Sequence, residues 1–100
     1  MDKITDYKNL LVYDDYFPSE LRNSIPLQPD TIYFVNNKER DMQGAWFLCP
    51  CGCEQHTYVH NHEWEFELHD DNSITISPSL LQMNGCKSHF FIRHNKVVWC

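Results

Sequence analysis

Hydrophobic and polar positions change texture once along the chain, near Thr31. From there, short runs of β-branched and aromatic residues alternate with turn-forming clusters, the pattern of consecutive strands. Thr31-Ile32-Tyr33-Phe34-Val35 gives a first strand closed by Asn36-Asn37-Lys38, and Ala45-Trp46-Phe47-Leu48 gives a second. His56-Thr57-Tyr58-Val59-His60 follows. Between Glu63 and His69, Trp64, Phe66 and Leu68 alternate with Glu65 and Glu67, so Glu63, Glu65, Glu67 and His69 share an outer face. Asp70-Asp71-Asn72-Ser73 turns the chain into Ile74-Thr75-Ile76-Ser77, a strand predicted to end at Pro78. Ser79 to Gly85 reads as a connection with room for one helical turn. Phe90-Phe91-Ile92-Arg93 and Lys96-Val97-Val98-Trp99-Cys100 then bracket a two-residue turn, His94-Asn95, in which Asn tolerates positive φ.

Residues 1–26 look different. They are polar, with one apolar run at Leu10-Leu11-Val12-Tyr13, a helical turn begun by Ser19, and prolines at Pro18 and Pro26 that argue against a long helix. The expected fold is therefore mostly β: a small single-domain antiparallel sheet over 27–100, preceded by an irregular or helical N-terminal appendage over 1–26.

Composition narrows the function. The 100 residues are 42% hydrophobic and 14% aromatic, which excludes a disordered chain. The formal charge is −6, and between Arg40 and Lys87 there is no Lys or Arg at all, while seven acids fall there. Phosphate would be repelled by such a surface, so no nucleic-acid partner is expected. The same surface suits a basic protein, or simply solvent. No apolar run reaches membrane-spanning length, and the first residues lack the basic start and apolar block of a signal peptide. The expectation is a cytoplasmic protein with no membrane partner, in a compartment that keeps thiols reduced.

Five cysteines then matter, because four of them sit in two short stretches: Cys49-Pro50-Cys51-Gly52-Cys53, and Cys86 followed by Lys87, Ser88 and His89. Thiols two apart on an extended or knuckled segment can face one ion, Gly52 permits a tight turn, and Pro50 limits the entropy lost on binding. A Cys and a His three apart form a second chelating pair, and tetrahedral zinc accepts mixed sulfur and nitrogen ligands. The expected cofactor is Zn2+, with Cys49, Cys51, Cys53, Cys86 and His89 as five candidates for four places. Spacing does not say which is surplus. Cysteines are also common as small buried hydrophobes, but three within five residues fit that role poorly.

Two chemistries compete around this site. A catalytic zinc needs a carboxylate as general base, and Glu63, beside Trp64, is the first candidate; no H-E-x-x-H motif accompanies it. A covalent mechanism needs a hydroxyl and a base, and Ser79 or Ser88 with His89 would supply them only if His89 does not hold zinc. On spacing alone His89 goes to the metal, which leaves Ser79 as a cap for the following turn. His60-Asn61-His62 can chelate in principle but reads as a polar loop.

In order and spacing, Cys49-Pro50-Cys51-Gly52-Cys53, Trp64, Pro78-Ser79, Cys86-Lys87-Ser88-His89-Phe90-Phe91-Ile92 and Val98-Trp99 resemble the bacterial domain-of-unknown-function 6527 family over residues 27 to 99. Glu54 and Asn95 stand where glycine is expected, and neither is a candidate ligand. The resemblance implies a place beside a ubiquitin-like protein and its E1-like and E2-like enzymes, as a peptidase that matures or removes the modifier. Combined with the cysteine pattern, the expectation is a zinc-dependent peptidase with Glu63 and Ser79 as catalytic candidates. The alternative is a non-catalytic zinc module acting as an adaptor or ligase-like part of the same system.

Overall fold

The computed structural model describes residues 4–14, 16–53, 55–81 and 88–100. Two four-stranded sheets face one another across the main core. The first has the order β1 (Asn9–Tyr13), β2 (Thr31–Asn37), β3 (Met42–Leu48) and β4 (His56–His60). The second consists of β5 (Glu65–Leu68), β6 (Ile74–Leu81), β7 (His89–Arg93) and β8 (Lys96–Trp99), also in chain order. Every pairing is antiparallel except β1 with β2, which is parallel.

Alternation along the strands builds the interior. Leu10, Ile32, Phe34, Ala45, Phe47 and Val59 from the first sheet meet Ile74, Ile76, Leu80, Phe90 and Ile92 from the second, all buried, with Phe66 and Val97 packed against them. Each of these side chains other than Ala45 contributes about 1.5–3 kcal/mol by leaving water. The outer face of the first sheet is covered as well. Tyr33, Val35 and Trp46 pack under Leu21 of the short helix Leu21–Ser24, which follows a 3-10 turn at Pro18–Glu20. The Trp46 indole N–H donates to the Pro18 carbonyl at 2.6 Å, fixing that cover in place. So β2 and β3 are buried on both faces, whereas β5 and β8 are mostly exposed.

Most predicted strands are present, several with small extensions, and the helical turn near Ser19 is there. The Glu63–His69 run narrows to Glu65–Leu68, which leaves Glu63 in the preceding turn rather than on the strand's outer face. Two further expectations are corrected. The run at Leu10 joins the first sheet as β1, because Asn9–Tyr13 lies in register beside Thr31–Val35. And β6 does not end at Pro78 but runs on to Leu81. Proline is tolerated at a bulge or where no neighbouring strand needs its N–H. Both conditions hold here: β5 reaches only to Ser77, and the β6–β7 register shifts between Ile76 and Leu80. Leu68 is nearly half exposed despite its alternation, since it closes an edge strand.

Candidate active site and thiol cluster

Two groups of chemically capable side chains emerge from this framework. The first is the knuckle between β3 and β4. Leaving β3 at Leu48, the chain turns through Cys49–Cys53; Gly52 takes φ 95°, a left-handed conformation, and its N–H donates to the Cys49 carbonyl at 3.3 Å. The Cys49 N–H donates to the Gln55 carbonyl at 2.8 Å, closing the loop. As a result, the sulfurs of Cys49, Cys51 and Cys53 lie within 4.8 Å of one another, Cys49 and Cys51 only 3.6 Å apart. Tetrahedral zinc with sulfur at about 2.3 Å places sulfurs about 3.8 Å apart, so the three thiols fit the ion. Burial grades outward from Cys49 to exposed Cys53. The knuckle is also anchored from below: the Tyr7 hydroxyl donates to the Leu48 carbonyl at 2.7 Å, and the Ile4 N–H to the Pro50 carbonyl at 2.7 Å. Burial first, and then the neighbouring Cys49 and Cys51 thiols, push the Tyr7 hydroxyl well above its ordinary pKa. It therefore stays protonated and donating. Cys86 lies outside the described residues.

The second group lies on the outward face of the other sheet. Leu81 of β6 is directly opposite His89 of β7, so the two share a face, while Leu80 and Phe90 point into the core. The bulge in β6 turns Ser79 toward the same histidine, and Ser79 Oγ lies 2.8 Å from His89 Nε2. With Nε2 as acceptor, Ser79 donates its hydroxyl proton to the ring, the arrangement in which a histidine activates a serine. Ser79 is half-buried and His89 exposed, so the hydroxyl is reachable from solvent. A hydroxyl and an imidazole are thus in contact, on two adjacent strands. A family model described as "Bacterial ubiquitination-like system serine protease (BubE)" matches residues 16–100. The chain belongs to that family. No curated protein and no solved structure matches it.

The remaining described candidates do not join the thiol cluster. Among the described residues the thiol cluster consists of Cys49, Cys51 and Cys53, and His89 is not in it. Glu63 is exposed in the turn after β4, whose five residues, spanning about 17 Å, run away from the knuckle. Ser88 is half-buried just before β7. His60 and His62 have ring centroids 5.6 Å apart and line, with Pro18, Met42, Gln43, Tyr58 and Asn61, a cavity of about 230 Å³ over the first sheet's outer side. No described helix is long and apolar enough to cross a membrane.

Proposed function

We propose that this protein is a serine peptidase that cuts after the C-terminal glycine of a ubiquitin-like modifier, either from a precursor or from a conjugate. The 2.8 Å contact between Ser79 and His89 carries the reading, and family membership supports it. In this scheme His89 Nε2 takes the Ser79 proton as Oγ attacks the carbonyl carbon of the glycine. The protonated imidazole then gives that proton to the leaving amine, leaving the glycyl ester on Ser79. Water, deprotonated by the same histidine, hydrolyses the ester and restores the enzyme.

A zinc ion bound by Cys49, Cys51 and Cys53 would supply folding energy and no step of the reaction, which departs from the zinc-dependent mechanism expected with Glu63 as base. The supporting observation is that neither His89 nor Glu63 lies with the thiols. The E1-like and E2-like enzymes of the same system are the partners this role implies.

The decisive experiment incubates purified protein with the precursor of its system's modifier. Cleavage at the glycine is expected from the wild type. Ser79→Ala and His89→Gln should each lower it by at least about 10³-fold, with metal content and melting temperature unchanged. Glu63→Gln should retain full activity. Loss of activity in Glu63→Gln with Ser79→Ala active would instead establish the metal mechanism, and no cleavage by wild type together with faster modifier transfer would establish the adaptor.

A further inference from the structure

The second sheet is incomplete beside the nucleophile. β5 pairs with β6 only as far as Glu65 opposite Ser77, because the chain before Glu65 turns back to β4 through Trp64 N–H donating to the His60 carbonyl at 3.1 Å. β6 continues for four residues, Pro78 to Leu81, and among the described residues this half of it pairs with β7 alone. Its other edge is a short length of strand with ladder positions to offer, in line with β5, and Ser79 lies within it. Edge strands are ordinarily kept short, bulged or interrupted by proline against unwanted pairing; this one carries a bulge and Pro78, and among the described residues no strand pairs with its outer side. Leu81 is 51% exposed, on the same face as Ser79 and His89 and two residues from the nucleophile. Among the described residues, no buried cluster includes this apolar side chain.

Resting on the peptidase reading above, we infer that the tail of the substrate binds as an added strand along Pro78–Leu81, extending the line of β5, with its scissile residue beside Ser79. Side chains two apart in a strand share a face. The residue two positions before the scissile glycine therefore meets Leu81, and the site selects an apolar side chain at that position. The edge is continuous with the Ser79–His89 pair, and its four residues match the short extended stretch of a peptide tail. Backbone pairing holds the tail, and Leu81 gives the preference.

The test uses two readouts. Acetyl-Leu-Ala-Gly-aminomethylcoumarin and its Asp-Ala-Gly counterpart are compared by kcat/KM on the wild type and on Leu81→Lys. The leucine peptide should be favoured at least about tenfold by the wild type, and the order should reverse in Leu81→Lys, which pairs with aspartate. Methylating the backbone nitrogen of the leucine or of the alanine in turn should cost one of the two peptides at least about tenfold, as only alternate amides face the strand. An unchanged preference in Leu81→Lys, or indifference to methylation at both positions, overturns the inference. Binding is read independently of cleavage by amide chemical shifts of 15N-labelled Ser79→Ala with acetyl-Leu-Ala-Gly-amide at millimolar concentration. Shifts concentrated at Ser77 to Leu81 are expected, and shifts elsewhere count against it. If the peptide binds at that edge while the wild type cuts nothing, the peptidase reading fails and the strand-addition site stands.

Discussion

Gly44 marks the closest approach in the outer layer of the first sheet. A Cβ there would lie 2.7 Å from the Cβ of Pro18 and 2.8 Å from the Tyr58 ring, on a residue that is itself buried. Gly44→Ala should therefore push the Pro18–Glu20 turn off the sheet and cost about 1–3 kcal/mol, read as a drop in the urea midpoint. A second residue effect concerns Asp71. A hydrogen bond from Ser73 lowers its pKa most, with smaller help from His94 and His69. A depressed carboxylate pKa stabilises the fold above the ordinary aspartate value and loses that contribution as pH falls through the folded value. Ser73→Ala should move the Asp71 titration upward, toward ordinary aspartate, in a carboxyl NMR titration; no movement would show that the bond contributes nothing. At the same scale, the proposed catalytic pair is only half legible in the sequence. Ser79 and His89 were both visible as candidates, but Cys86 three residues before His89 offered a chelate written in local spacing. The contact that competes with it spans ten positions and depends on a β6–β7 register and a bulge that no local pattern encodes.

Elements were read best where two signals agreed. The hairpin of β7 and β8 had alternation on both sides of His94-Asn95, and both residues do take positive φ, 49° and 66°. What the pattern did not reveal is that Asn95 is more than a tolerated substitute for glycine. It is buried, its side-chain oxygen accepts from the Ile74 N–H at 2.8 Å, and its amide donates to the Tyr7 carbonyl at 3.0 Å. Asn95→Gly keeps the backbone conformation and loses both bonds, so about 1–3 kcal/mol should go; Asn95→Ala adds the strain of positive φ and should be worse by about 1 kcal/mol. Equal losses, measured by denaturant titration, would mean that backbone strain is negligible at this turn. Sequence pattern ends β6 early because proline ordinarily closes a strand, and the early end of β5 together with the β6–β7 bulge makes Pro78 acceptable there. β1 escapes the pattern for a related reason: a four-residue apolar run isolated among polar residues gives no hint that a parallel partner lies 22 positions on, as Leu10 opposite Ile32 does.

For the molecule as a whole, the thiol cluster and the N-terminal segment form one support. About one zinc per chain is expected by metal analysis, and strong chelator should lower stability by several kcal/mol, since the three thiols would be held together without their ion. Full stability in chelator would mean that no metal supports this fold. The segment from Ile4 to Tyr7 crosses between the sheets: Ile4 bonds to the knuckle, Thr5 accepts from the Val97 N–H at 2.9 Å, Asp6 bridges to Lys96, and the Tyr7 N–H donates to Asn95 at 2.7 Å. That lacing bears on how the protein is made. Its earliest described residues are tied to some of its latest, across 88 positions in the case of Tyr7 and Asn95, so they have no place to settle while the chain is still emerging from the ribosome. The two sheets can close only after the final hairpin is free. Until then Tyr7, Leu10 and the apolar faces of β2 and β3 stay uncovered, and a nascent chain stalled before residue 95 should be protease-sensitive and drawn to chaperones, whereas the released chain should resist both.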